Sequence, residues 1–413
     1  MSGAIFRAKG LLPRPDDWVE GGGLLVVNGR VERVLRSPAE VRRVATESGF
    51  SVTDFEDGLL VPGAICAHAH LELSALVGKL ESGTEMLPWI RRVMEERGQL
   101  GEQELRAQAA AGARALLASG TTLVGDIDSS GGYALPESRA GIRRVAFREL
   151  LDGGSPERTP AAVRGVSAPL PPSETLLEGL SPHAPHTVSL ELLRHVAQLA
   201  KERRAPVQMH WSETREETEW MCHGRGPFGE LLGSSPLQSG LDWIESAGLL
   251  SSSLSLVHGN HPEQGEPERL AAAGVALVHC PGSHAFFQRS SFPVEQYRRA
   301  GVTLALGTDS LASNESLDLG REMSLFRASA PQVSPEEVWS MATLGGARAL
   351  GRAGWVGELI PEACADFAVF DLAALDRDAA LEALTSARPV AREVWMGGRA
   401  VLRESDLPES PPR

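Results

Sequence analysis

The 413-residue chain carries 54 acidic against 40 basic residues, a formal net charge of -14, and 42% of it is hydrophobic. That charge argues against nucleic acid or an anionic membrane surface as partner, and there is no uninterrupted apolar run of about 18 residues to span a bilayer. Cys66, Cys222, Cys280 and Cys364 are scattered without a CxxC pair, and the start lacks a charged segment followed by an apolar run, so reduced thiols in a cytoplasmic protein are expected.

In chain order, residues 22–36 read as two short strands about Asn28-Gly29, a hairpin signal, and the first sixty residues look β-rich. Between residues 60 and 306 short apolar, β-branched runs alternate with amphipathic helical stretches. Candidate strands are 60–66, 121–127, 144–150, 176–181, 206–210, 254–258, 275–280 and 302–306. Eight of them favour an α/β fold closed as a (β/α)8 TIM-like barrel. Helices are expected over 102–119, stopping at Gly120, and over 190–204, 267–273 and 335–350. The long insertion 71–101 would form a substrate-covering loop, and the proline-rich patch 168–173 a local one. Residues 366–371 and 393–402, the latter turning at Gly397-Gly398, read as strands. Both chain ends are therefore expected to build a small β-sandwich, dividing the chain into 1–61, 62–357 and 358–413.

Strand C-termini of such a barrel open on one mouth, and there the reactive side chains fall. His68 and His70 end the first strand, His183 follows the fourth, and His210, His258 and His279 end the fifth, sixth and seventh. Asp309 follows the eighth. Histidines without a role would scatter over helices and surface, as His195 and His223 do. His68 and His70, two apart on a strand, face one side. With His210 and Asp309 they could hold one divalent ion and leave a position open for water, the requirement for catalysis. Hydrolysis of a carbon–nitrogen bond then needs a proton carrier. Glu213 is the candidate, though beside Glu216, Glu217 and Glu219 it could equally be an ordinary charged loop residue. Asp309 could also accept a proton from the water, and His258 could hydrogen-bond the water or a developing oxyanion.

The ordered set Pro62-Gly63, His68-Ala69-His70-Leu71, Gly120-Thr121-Thr122, Ser181-Pro182-His183, His210-Trp211-Ser212-Glu213-Thr214, Gly307-Thr308-Asp309-Ser310 and Met341-Ala342-Thr343 with 345–351 resembles the amidohydrolase superfamily. More narrowly it is similar to the branch of cytosine, guanine and S-adenosylhomocysteine deaminases and triazine hydrolases. The resemblance spans nearly the whole chain. It implies a metal ion on His68, His70, His210 and Asp309, zinc first, with iron or manganese as alternatives. It implies Glu213 as proton shuttle, His258 orienting the water, and a homodimer. Two-metal members carry a carboxylated lysine after the fourth strand, where this chain has Ser181-Pro182-His183, so a single ion is expected; Lys201 lies in the following helix.

Leu71-Glu72-Leu73-Ser74 resembles the aminodeoxyfutalosine deaminases, which implies a 6-aminopurine nucleoside such as aminodeoxyfutalosine, S-adenosylhomocysteine or adenosine as small-molecule substrate, with release of ammonia. Glu72 could pair with a ribose or cap a turn, and Trp89 could stack on a purine or anchor its loop. His183 and His279 are candidates for the base, His183 with a capping role as the alternative. His284 replaces a common asparagine in His279-Cys280-Pro281-Gly282-Ser283-His284. The same site could instead open a cyclic amide or hydrolyse a triazine, or the chain could be a catalytically silent ligand-binding barrel.

Overall fold

Eight parallel strands, each hydrogen-bonded to the next in chain order, form the central sheet: Ala64–Ala69, Thr121–Asp128, Arg143–Leu150, Leu176–Pro182, Val207–Trp211, Leu254–His258, Ala276–His279 and Thr303–Leu306. The coordinates are a computed structural model that describes residues 2–129, 141–171, 173–372 and 376–406. The sheet curls until its edges meet. Thr308 and Asp309 donate their backbone N–H to the His68 carbonyl at 3.0 and 3.2 Å, and His70 N–H reaches the Asp309 carbonyl at 3.4 Å. Gly307 makes that approach possible, because a Cβ there would stand 2.7 Å from the same His68 carbonyl. The fold is therefore a (β/α)8 barrel.

The first strand starts later than the apolar run indicates. Leu59–Pro62 belongs to another sheet, pairing with Phe367–Phe370 and Gly10–Arg14, and the chain enters the barrel only after Gly63. Four strands, in the order Arg30–Leu35, Gly23–Val27, Gly3–Arg7 and Ser51–Asp54, make one sheet. Six, drawn from both chain ends, make a second. Phe6, Leu11, Leu24, Val26, Leu60, Phe367 and Val369 form a shared apolar core. The two hairpin turns are as read: Asn28 and Gly29, and Gly397 and Gly398, all have positive φ.

Helix Glu102–Ala118 ends two residues before Gly120, whose φ is +82°. Helix Leu190–Arg203 is closed by Arg204 in the left-handed region. The stretch 335–350 is not one regular helix. Ser334 and Glu337 form a capping box for Pro335–Ser340, after which Met341–Gly345 widens to a π turn before Gly346–Ala349. The insertion 71–101 is also more ordered than a loop. It contains the 3₁₀ turn Leu71–Leu76 and helix Met86–Gly98, because Trp89, Val93 and Leu100 pack on Leu73, Leu76 and Ala312. Pro172 of the proline-rich patch lies outside the described residues. No described helix is long and apolar enough to cross a membrane.

Below the mouth, Glu322 is fully buried. It accepts hydrogen bonds from Gly282 N–H at 2.6 Å and Asn314 Nδ2 at 2.7 Å. Burial pushes its carboxyl up to about 8, against the pull of those donors. Because the folded form holds a proton that the unfolded form releases above its ordinary carboxylate range, this group makes stability fall as pH rises from about 4.5 to about 8. In thermal melts across that window, Glu322→Gln should show a shallower decline of Tm with pH than the parent chain; equal slopes would contradict this.

Candidate active site

His68, buried in the first strand, and His70, just past its end, place their rings 4.9 Å apart with planes nearly perpendicular. His210 in the fifth strand brings its ring within 5.0 Å of His68 and 5.4 Å of His70. One ligand atom from each of the three lies within 4.8 Å of the others. Asp309 Oδ1 stands 3.7 Å from both His68 Nε2 and His70 Nε2. The predicted quartet is thus assembled by the barrel seam and the fifth strand.

Hydrogen bonds behind the rings decide which nitrogen faces inward. His68 Nδ1 is 2.7 Å from Gln208 Oε1, and His210 Nδ1 is 3.0 Å from the His183 carbonyl. Both oxygens only accept, so each Nδ1 carries the proton and each Nε2 turns a lone pair toward the centre. Gln208 is itself fixed, its Nε2 donating to the Ala67 carbonyl at 3.0 Å and to Ser255 at 3.1 Å. His68 Nε2 is buried without a hydrogen-bond partner, and His70 Nε2 and His210 Nε2 are 3.4 Å apart. Imidazole nitrogens bound to one tetrahedral ion at about 2.0–2.1 Å each would be about 3.3 Å apart. Burial first, and then neighbouring imidazoles, hold His70 and His210 below the ordinary histidine range, in the neutral form that ligates metals. A divalent cation fits this donor set of converging imidazole nitrogens beside a carboxylate.

Glu213 stands on the loop after the fifth strand with Oε2 3.5 Å from His258 Nε2. Ser212, with φ +50°, turns the chain so that its own N–H and that of Glu213 both point at the Glu217 carboxylate, at 3.0 and 2.9 Å. Burial raises the Glu217 carboxyl, but His186 at 3.5 Å and these donors bring it below the usual range. Asn260 Nδ2 holds the Glu213 carbonyl at 3.0 Å. His258 and Asp309 have φ of +77° and +57°. Each such conformation costs about 1–3 kcal/mol and persists where surroundings over-determine it.

The other candidates are placed differently. His183 has its ring 5.0 Å from that of His210 and its Nδ1 2.7 Å from Thr187 Oγ1. His279 is packed away from the donor cluster, stacked on Phe292 at 3.9 Å with Phe326 and His284 around it. Trp89 donates Nε1 to the Ala312 carbonyl at 2.9 Å and packs edge-on to Phe287, so it anchors the insertion. Glu72 is buried, accepting from Ser129 and 3.4 Å from Arg97. Sequence reasoning left out Gln208, Glu217, Asn260 and Arg289. It also left out Asp126, which accepts from Leu71 N–H and Arg144, both at 3.0 Å, and whose carboxyl burial pushes up to about 6. The HisTrpSerGlu loop offered one signal: a carboxylate at Glu217 placed to cap the N-H groups before it.

Comparison with known proteins adds three findings. The model of the amidohydrolase family matches residues 59–401. The chain is 30% identical over 391 residues, 90% of this chain and 85% of the relative, to the 5-methylthioadenosine/S-adenosylhomocysteine deaminase of Halobacterium salinarum. Its fold superposes on Helicobacter pylori aminofutalosine deaminase, solved with methylthio-coformycin, with a TM-score of 0.86 at 24% identity over 97% of this chain and 100% of that one. It also superposes on the zinc complex of atrazine chlorohydrolase from Arthrobacter aurescens, with a TM-score of 0.81 at 21% identity over 99% and 97%.

Replacing Gln208 with Ala should weaken metal binding about 10–100-fold by freeing the His68 ring, as loss of an outer-sphere partner does. Zinc competition against a chelator measures this, and an affinity equal to the parent's would contradict it. His68→Ala should abolish stoichiometric metal.

Proposed function

Because this chain belongs to the amidohydrolase family, whose members hydrolyse with a metal ion, we propose that it deaminates a 6-aminopurine nucleoside, releasing ammonia, with a single zinc ion on His68, His70, His210 and Asp309. The observation that carries this reading is Glu213: its carboxylate stands at His258, on a loop that leaves the strand holding His210. The Halobacterium relative, named for deamination of methylthioadenosine and S-adenosylhomocysteine, supports the purine nucleoside class, with aminodeoxyfutalosine and adenosine as further members to try. Zinc in the Arthrobacter neighbour supports that choice of ion over iron or manganese.

The ion, when bound, supplies Lewis acidity that brings ionisation of a water near neutral pH. Glu213 takes a proton from the attacking water and returns it to the substrate nitrogen, so that an amine leaves as ammonia. His258, buried and held neutral first by burial, orients the water from beside Glu213. Asp309 is locked by the Ser313 hydroxyl on Oδ2 at 3.0 Å, which leaves Oδ1 toward the imidazoles. His183 is proposed to bond the base, and Glu72, at the start of the insertion, a hydroxyl of the sugar. Trp89 and His279 would act on substrate through the loops they anchor.

A second reading, hydrolysis of a triazine or cyclic amide, is favoured by the same quartet, because an activated water is indifferent to its leaving group. A silent binding barrel would need neither Glu213 nor an open metal position. We also propose a division near 1–61, 62–357 and 358–413; Leu59–Pro62 pairing with Phe367–Phe370 outside the barrel supports the separate units and moves the first boundary to Gly63. A cytoplasmic homodimer completes the reading, supported by four unpaired cysteines for the compartment and by family resemblance for the dimer.

Zinc-loaded protein should release ammonia from at least one of S-adenosylhomocysteine, adenosine and aminodeoxyfutalosine, and not from melamine; the reverse pattern would move the assignment to triazines. Glu213→Gln should lose about 10²–10⁴-fold in kcat with its zinc retained. Turnover within a few-fold of the parent would remove Glu213 from the chemistry.

A further inference from the structure

Glu213 has a partner that neither motif nor mechanism accounts for. Arg289, in the segment after the seventh strand and 76 residues away in sequence, donates Nη2 to Glu213 Oε1 at 2.9 Å. Its side chain is only 9% exposed and that of Glu213 18%. The guanidinium lies over the Phe287 ring at 4.5 Å, and its Nη1 is buried with no partner. A guanidinium so desolvated, with a single carboxylate beside it among the described residues, is committed to that carboxylate, which offsets the cost of its burial.

The segment bearing Arg289 is itself held by His284. Arg289 N–H donates to the His284 carbonyl at 3.2 Å. Burial pushes the His284 imidazole down to about 4, so the neutral ring has one N–H; the shorter contact, 2.6 Å from Nε2 to the Ser290 carbonyl, takes it, and Asn260 Oδ1 lies 3.2 Å from the other nitrogen. Asn260 in turn holds the Glu213 carbonyl. His284, the departure from the common asparagine at this position, thus holds the segment that presents the buried arginine.

We propose that Arg289, seated by His284, is a positioning residue for deamination: it fixes the Glu213 carboxylate through Oε1, so that Oε2, on the His258 side, is the oxygen that takes the proton from water and hands it to the substrate nitrogen. This rests on the reading of Glu213 as the proton carrier. Arg289 touches no reacting atom and acts through Glu213 alone.

The test is a double-mutant cycle on the zinc-loaded full chain, with zinc content and Tm recorded for every variant. Arg289→Gln should lower kcat about 10–100-fold with KM within about 3-fold, and Arg289→Lys should recover part of the loss. In the Glu213→Gln background, Arg289→Gln should have no further effect on kcat. A loss that persists in full in that background, or an Arg289→Gln enzyme within about 2-fold of the parent, overturns the proposal while leaving Glu213 its role. A Glu213→Gln enzyme with parental kcat overturns the shuttle reading and this inference together. If Arg289→Gln melts before assay, Arg289→Lys carries the cycle: a loss of about 3–10-fold that vanishes without Glu213 supports the proposal, and one that does not vanish overturns it.

Discussion

Closure of the barrel between its first and last strands is the constraint on which the rest of the structure depends. The groups that make the seam are the backbone of His68 and His70 on one side and of Thr308 and Asp309 on the other. Two imidazoles and a carboxylate are thus brought together by main-chain hydrogen bonds that any closed barrel must form, and Gly307 is the residue whose missing Cβ lets the strands meet. The price of that geometry is Asp309 in the left-handed region. Fold and chemistry are coupled at this seam, so a change that opens the barrel also separates the donors.

Around the seam, polar groups that touch no substrate set the direction of those that could. Gln208 and the His183 carbonyl turn Nε2 of His68 and His210 inward. Glu217 gathers two consecutive N–H groups, and Asn260 holds a carbonyl, so that the loop after the fifth strand has one conformation with Glu213 facing His258. Fixing these groups before substrate arrives avoids reorganisation during the reaction, which is how a buried site gains most over water. The low-dielectric surroundings that hold the histidines neutral also strengthen each contact.

Much of this was legible in the chain because it rests on local periodicity. Eight apolar runs separated by helical stretches give a barrel, and the two-residue spacing of His68 and His70 gives one face; the strands carrying His210 and His258 lie at the stated positions. What escaped depends on partners distant in sequence. The apolar run through Leu60 and Ile65 is continuous, yet Pro62-Gly63 hands it from one sheet to another, a switch fixed by pairing with Phe367–Phe370. Arg289 looks like a solvated charge in sequence and becomes a buried, directed group only when the loops after the fifth and seventh strands meet; Glu217 does so beside His186 from the loop after the fourth. The helix in the insertion 71–101 likewise forms because Trp89 and Val93 find Leu73, Leu76 and Ala312.

Anomalous diffraction at the zinc absorption edge, from crystals of the zinc-loaded protein, tests the central claim most directly. One strong peak is expected, within bonding reach of His68 Nε2, His70 Nε2, His210 Nε2 and the Asp309 carboxylate. A second strong peak within a few ångströms, or a single peak away from the seam, would contradict it.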